Sequence, residues 1–456
     1  MQLHLNHQNC LDNLKGIIEI QHNKLKLINN EQLKNELDNI IYTAIFSTDK
    51  QLRNLCKYII REAAKLNNCI PCSIYDVYIK LSKETTNFTI PAINIRTLTY
   101  EIAQEIFKIC KELKAAAVIF ESARSEISYT NQVPSEYSSC ILAAALKQDY
   151  HYPIFIQGDH FQINRNEFFL NKNKEIKQLE SLIKNAIDSK FYNIDIDAST
   201  LVNIEEKEEK KQQLLNYEMT AYFIDFIRKN QPSDIIINIG AEIGEIGKKN
   251  STTEDLDAFL EGLNNKLKSM NIQDSITKIS IQTGTTHGGF VLPDGTLAEV
   301  NIDFDTIKKL SKISKEKYNL AGVVQHGAST LPKDLFHKFP ENNCVEIHLA
   351  TEFQNIILDH PAFPTSLKEE INKWIKNNYK EKALKITDEQ LIYKRRKNAL
   401  GPFKRQKWDI DTEAKKEILK TLSSTFEFIF KMLNIKDTAD EINKIIKPVT
   451  IIKELN

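Results

Sequence analysis

Eight short apolar runs, each followed by a polar or glycine-bearing loop and then a longer amphipathic segment, constrain this chain more than any other feature. They read PAINI (91–95), AAVIF (116–120), PIFIQG (153–158), YNIDID (192–197), DIIINI (234–239), KISIQT (278–283), LAGVVQ (320–325) and VEIHL (345–349). Runs this short suit strands, whereas YEIAQEIFKICKELK, KKQQLLNYEMTAYFIDFIRKN and FDTIKKLSKISKEKY repeat apolar residues at helical spacing between them. Strand and helix in alternation make parallel βα units. Eight units in about 260 residues match the usual size of a (β/α)8 TIM barrel. An open doubly wound sheet is the alternative, weakened because no Gly-x-Gly-x-x-Gly follows the first run.

Flanking regions differ in texture. Residues 9–66 carry helical periodicity, and from about 365 the chain is helical and highly charged. The expected organisation is a helical N-terminal extension over 1–87, the barrel over 88–364, and a helical C-terminal extension over 365–456. The extensions are expected to pack on the barrel or to mediate homo-oligomerisation.

Composition narrows the partners. The 61 basic residues balance 61 acidic ones, so no net field favours nucleic acid or an anionic membrane. The longest apolar stretches, AAAVIF and CILAAAL, fall far short of the roughly 20 residues of a membrane span. The N-terminus MQLHLNHQNCLDNLKG lacks the basic start and apolar core of a secretory signal, and seven scattered cysteines suit reduced thiols. A cytoplasmic protein is expected. CIPC (69–72) has redox or half-zinc-site spacing but no second CxxC to complete a zinc site, and it reads as a helix-to-loop turn.

In a barrel of this kind, chemistry gathers on the loops after the strands. Asp159 and His160 follow run three, Asp197 ends run four with Ser199 beyond, and Glu242 and Glu245 follow run five. His287 in IQTGTTHGG follows run six, His326 in VVQHGAS follows run seven, and Thr351 and Glu352 follow run eight. Each histidine alone reads as a hydrogen-bonded structural residue. Three imidazoles on one rim with neighbouring carboxylates match the three-ligand, open-position arrangement of a catalytic zinc. Gly288, Gly289 and Gly327 beside these histidines, with Ser329, Thr330 and Thr351, are small and polar enough to cradle an anion, and barrels often bind phosphate after strands seven and eight. A phosphorylated, carbonyl-bearing substrate is expected.

In their order, FTIPAINI, QGDH, IDAS, AEIGEIG, TGTTHGG, VQHGAS and EIHLATEFQ resemble the class II, metal-dependent fructose-bisphosphate aldolases over roughly 88–360, in a long-chain branch. The resemblance implies a lyase of carbohydrate metabolism, acting in glycolysis and gluconeogenesis on a ketose bisphosphate, with triose phosphates as the other partners. It implies that His160, His287 and His326 hold catalytic zinc. Asp197 and Glu242 match positions that supplement it or hold a second divalent or monovalent cation. Asp159 matches the acid that exchanges a proton with the reacting hydroxyl, and Gly288, Gly327, Ser329 and Thr351 match substrate or phosphate contacts. The family's second proton donor is a glutamate on the loop after strand five, for which Glu245 and Glu254 are candidates. Strand eight departs from the family's Asn-x-Asp with His348 and Ala350. A charge for a distal phosphate is sought in Arg395, Lys404 or Arg405. The competing implications are a tagatose-bisphosphate aldolase, its non-catalytic partner subunit, or a zinc hydrolase on the same fold.

Overall fold

The computed structural model describes residues 1–22, 24–85, 87–244, 249–284, 301–379 and 387–450. Its centre is a closed parallel barrel of eight strands: β1 Ile90–Asn94, β2 Ile119–Ala123, β3 Ile154–Gln162, β4 Asn193–Asp197, β5 Asn238–Glu242, β6 Lys278–Ile281, β7 Val323–Gln325 and β8 Cys344–Leu349. Each strand pairs in parallel with the next, and β8 closes on β1. Each of the eight expected runs overlaps a strand of this barrel, the fifth only at Asn238 and Ile239, and the open-sheet alternative is excluded by that closure.

Helices cover the outside because the βα connections place them there. The longer ones are α1 Thr99–Glu112, α2 Pro134–Lys147, α3 Lys172–Asp188, α4 Leu214–Asn230, α5 Thr253–Ser269, α6 Phe304–Tyr318 and α7 Thr351–Asp359. Polar side chains start several of them. Asp303 accepts from the Thr306 amide at the start of α6, and Thr252 and Asp255 form a capping box on α5. Asn250 donates to Asp303 at 2.8 Å, which ties the loop after β5 to the entry of α6.

Two expectations for the N-terminal region are corrected. Residues 9–66 are not uniformly helical: Ile18–Gln21 and Lys24–Leu27 form an antiparallel hairpin, because IEIQ and KLKL alternate with period two. CIPC is not a helix-to-loop turn either. Pro71–Cys72 is a short strand that pairs with the first residues of β3, and both its cysteines are buried.

Helices Asn30–Phe46 and Lys50–Leu66 pack beside α2, where Lys57 donates to Ser135 at 3.0 Å. The C-terminal helix Thr412–Met432 lies against α1, where Lys415 pairs with Glu101 at 3.2 Å. Trp408 joins the two flanking regions: it stacks on Tyr100 and contacts Tyr42 and Phe46, while Tyr42 donates to Asp409 at 2.6 Å. Among the described residues no helix is long and apolar enough to cross a membrane.

Candidate active site

The barrel lumen is polar, contrary to the branched aliphatic filling usual in such barrels. Along β4 and β8 the residues alternate, so that Asp195 with Asp197 and Glu346 with His348 project to one side while Ile196 and Ile347 between them pack outward, and in β3 Gly158 separates Gln157 from Asp159. At mid-height sits Lys278, fully buried. Its Nζ lies 2.9 Å from Asp195, 2.5 Å from Glu346 and 2.9 Å from Gln157. An isolated buried ammonium would lose its proton, yet these two carboxylates, acting against burial, hold Lys278 above the usual lysine value. Tyr78, from the short helix Tyr75–Leu81, donates to Glu346 and closes the polar column.

Above this layer the strand ends carry the candidate catalytic groups. In β3 the pairing with β4 slips between Gly158 and Phe161, a bulge in which His160 adopts φ +40°. Gly158 is required there: a Cβ would meet the Phe161 ring at 2.5 Å. The bulge turns Asp159 and His160 toward the lumen. His160 Nε2 lies 2.7 Å from His326 Nδ1, while its Nδ1 lies 3.1 Å from Asp197 and 2.9 Å from Glu242. His326 Nε2 faces the Ser280 hydroxyl at 2.9 Å. Asp197 is further held by Ser199 and Gln162.

The electrostatics of this cluster favour a cation. Burial opposes a charge on His160, but Asp159, Glu242 and Asp197 overcome it and hold the imidazole well above the ordinary histidine value. Burial and the neighbouring Asp197 push Glu242 up, against the pull of His160. Asp197 lies below the usual carboxylate range because hydrogen bonds from His160, Ser199 and Gln162 outweigh burial. Two imidazoles among three carboxylates are a donor set suited to a divalent metal, and ligand atoms of His160, Glu242 and His326 all lie within 4.8 Å of one another. Two nitrogens on one zinc sit roughly 3.3 Å apart. His160 Nε2 and His326 Nδ1 stand closer than that, at 2.7 Å.

Asp159 stands beside His160, its Oδ1 3.7 Å from His160 Nε2. Its Oδ1 lies 3.0 Å from His348 Nδ1 and its Oδ2 accepts from Asn94 at 3.0 Å. The His348 ring in turn lies against His326, with centroids 4.0 Å apart.

A cavity of about 1100 Å³ opens over these groups. Gly327, in the left-handed region at φ +72°, starts the turn Ala328–Thr330 and, with Ser329, lines one wall beside Thr351 at the N-terminus of α7. Small side chains and a helix N-terminus favour an anion here. Arg96 stands next to them, pairing with Glu126 at 2.7 Å and donating to Thr351 at 3.3 Å.

The structure thus gathers Asp159, His160, Asp197, Glu242, His326, Gly327, Ser329 and Thr351 at one rim. His287, Gly288 and Glu245 lie outside the described residues. Glu254 stands exposed on the first turn of α5 and is not a lining residue of the cavity. Nor do Lys404, Arg405 or Arg395 line it: Lys404 pairs with Glu136 at 2.5 Å, Arg405 with Asp409 at 3.6 Å, and Arg395 covers the Tyr379 ring. The cation that does reach the cavity from that segment is Lys397. Arg396 clamps the segment through Asp359 and Asn355, and Gly401 packs against the Tyr129 carbonyl, so Lys397 is aimed at the Tyr129 ring and the cavity mouth.

A model of the family described as "Fructose-bisphosphate aldolase class-II" matches residues 80–431. The chain belongs to that family. The match runs past the barrel into the C-terminal helices, the region that delivers Lys397. No curated protein matches by sequence. Among solved structures, the chain is similar to the glycerol-complexed fructuronate-tagaturonate epimerase UxaE from Cohnella laeviribosi, with TM-score 0.58 and 11% identity over 92% of this chain and 90% of that one. It is also similar to a probable tagatose 6 phosphate kinase from Sinorhizobium meliloti 1021, with TM-score 0.52 and 13% identity over 77% of this chain and 100% of that one. The YdjI aldolase from Escherichia coli K12 aligns with TM-score 0.47 and 14% identity over 81% and 99%. At these identities the first two likenesses speak for the barrel fold alone.

Proposed function

We propose that this class II aldolase family member is a zinc-dependent lyase that reversibly cleaves a ketose bisphosphate between C3 and C4, with fructose 1,6-bisphosphate as the first substrate. The products are then dihydroxyacetone phosphate and glyceraldehyde 3-phosphate. One observation carries the reading: a pair of imidazoles among carboxylates, His160 and His326 with Glu242, stands directly beside a buried carboxylate, Asp159, whose two oxygens are oriented by different donors.

His160 and His326, with His287 from the loop after β6, would hold the zinc; Asp197 and Glu242 stand where they supplement it or hold a second cation. Bound there, the metal supplies Lewis acidity at the substrate carbonyl, where charge accumulates as the C3–C4 bond breaks. Asp159 takes the proton of the C4 hydroxyl in cleavage and returns it in condensation. Gly327, Ser329 and Thr351 anchor a phosphate through backbone and hydroxyl donors, with Gly288 as a further contact and Arg96 supplying charge beside them. The second proton transfer falls to Glu245.

The tagatose epimer is the second substrate considered, because β8 presents His348 and Ala350 where the family commonly has Asn-x-Asp. The test is initial-rate cleavage of fructose and tagatose 1,6-bisphosphates by the purified protein, coupled to triose phosphate detection. Turnover of either supports the lyase, and their kcat/KM ratio assigns the stereochemistry. Turnover of neither rejects it.

A further inference from the structure

His348 is part of the departure from the family's Asn-x-Asp in β8. It is buried in β8, 5% exposed, and both its ring nitrogens face carboxylates: Nδ1 lies 3.0 Å from Asp159 Oδ1 and 3.2 Å from Glu121 Oε2, and Nε2 lies 2.5 Å from Glu346 Oε1. With carboxylate oxygens at both nitrogens, and Asp159 the nearer of the two at Nδ1, the ring is turned to donate from Nδ1 to Asp159 and from Nε2 to Glu346. Glu346 is itself fixed by Lys278 at 2.5 Å, by Gln157 at 3.0 Å and by Tyr78. A rigid chain of side chains therefore runs up the lumen from Lys278 through Glu346 and His348 to Asp159. It ends on the carboxylate whose other oxygen is held by Asn94.

We propose that His348 is a positioning residue for Asp159: anchored from below by Glu346, its Nδ1–H fixes the carboxylate that exchanges the substrate proton, and it is not a ligand of the metal. The inference rests on the assignment of Asp159 as that acid. Its physical basis is that general acid–base catalysis tolerates little misplacement of the transferring group. A carboxylate on a bulge that loses one of its donors is freer to rotate about its terminal torsion, which is broad and soft. The second donor removes that freedom. The rival role is that of a metal ligand: ligand atoms of His348, Asp159 and His326 lie within 4.8 Å of one another and form a second group able to take a cation. In that role one nitrogen of His348 would have to give up its hydrogen and its carboxylate.

The two nitrogens can be separated by substitution. In His348→Asn the amide nitrogen replaces Nδ1 and still reaches Asp159. In His348→Gln it replaces Nε2 and reaches only Glu346. The experiment measures kcat, KM and bound metal for the full-length His348→Asn, His348→Gln and His348→Ala proteins, and repeats His348→Ala in an Asp159→Asn background. Positioning predicts a kcat loss of about 10- to 100-fold in the Ala and Gln variants. It also predicts less than about threefold loss in the Asn variant, unchanged metal content and KM, and no further loss in the double variant. Loss of metal from the Ala or Gln variant would make His348 a ligand and overturn the inference. So would equal damage in the Asn and Gln variants, or losses that multiply in the double variant. A wild-type protein that cleaves no ketose bisphosphate would fail earlier, at the proposed function, and would remove the inference with it. Circular dichroism and thermal unfolding identify a variant that does not fold, and the Asn against Gln comparison then decides.

Discussion

His160 Nε2 and His326 Nδ1 stand 2.7 Å apart, although 166 positions separate them in the chain. Adjacent strands could not produce this, since β3 and β7 lie on opposite walls of the barrel. Only closure brings them together, and the β3 bulge supplies the last turn of the His160 side chain. The pair sets the site's specification: whatever binds there must satisfy two imidazoles among Asp159, Asp197 and Glu242.

Replacing His326 with Ala is expected to lower metal retention by more than the roughly 10- to 100-fold typical of losing a residue that merely supports a ligand, and to abolish turnover with it. Metal analysis after dialysis, alongside the cleavage assay, checks this. A variant that cleaves substrate at the wild-type rate without metal would refute the ligand assignment.

Asp159→Asn should behave differently. It keeps the volume and a carbonyl acceptor but cannot take a proton at neutral pH, so metal content should hold while kcat falls by about 10²- to 10⁴-fold. Parallel metal analysis and steady-state kinetics separate the two effects. A fall in metal content equal to that of His326→Ala would reassign Asp159 as a ligand.

Lys278 neutralises two buried carboxylates, Asp195 and Glu346. Lys278→Met leaves Asp195 without its ammonium partner and Glu346 with the His348 ring alone, and breaking a buried pair in this way typically costs about 3–5 kcal/mol. The thermal unfolding midpoint of the variant should fall by several degrees. Adding Glu346→Gln and Asp195→Asn should recover part of the loss, whereas a single variant as stable as wild type would show that the lumen tolerates the charges.

A second buried lysine gives a pH signature. Lys407 is fully buried, donates to the Leu400 carbonyl at 2.8 Å, and is pushed down to about 7 by burial with help from nearby Lys404. In the unfolded chain it titrates at roughly 10.4. Between these values the unfolded state binds more protons, so this group's contribution to stability rises with pH from about 7 toward 10 and is smallest below 7. Lys407→Met should therefore be more stable than wild type by about 1–3 kcal/mol near pH 7, with the advantage shrinking as pH approaches 10. Denaturation curves of both proteins at pH 7 and pH 9.5 test this. An advantage independent of pH would contradict it.

The barrel was legible because each strand is a short apolar run with a turn signal behind it, and the helices between them are long enough for a 3.6-residue period to show. Strand ends were less so. Ala116 and Ala117 belong to the apolar run but precede β2, because strand pairing there begins at Ile119, whereas β3 continues past Gly158 through its bulge. The rim residues Asp159, His160, Asp197, Glu242 and His326 were legible from their places at strand ends. The lumen layer of Lys278, Glu346 and Asp195 was not, since a charge inside a strand reads as a solvent-facing residue until the barrel closes around it. The alternation of DID and EIH was the available signal. Lys397 escaped for a different reason: only the docking of Arg396 on α7 distinguishes it from its basic neighbours.

The most direct test of the metal-dependent lyase is cleavage of fructose 1,6-bisphosphate by the purified protein with bound metal quantified, before chelation, after chelation and after zinc return. The proposed function predicts close to one tightly held divalent ion per chain, loss of cleavage on its removal, and recovery with zinc. Cleavage that survives complete removal of the metal, or a metal-loaded protein that cleaves neither this sugar nor its tagatose epimer, would contradict it.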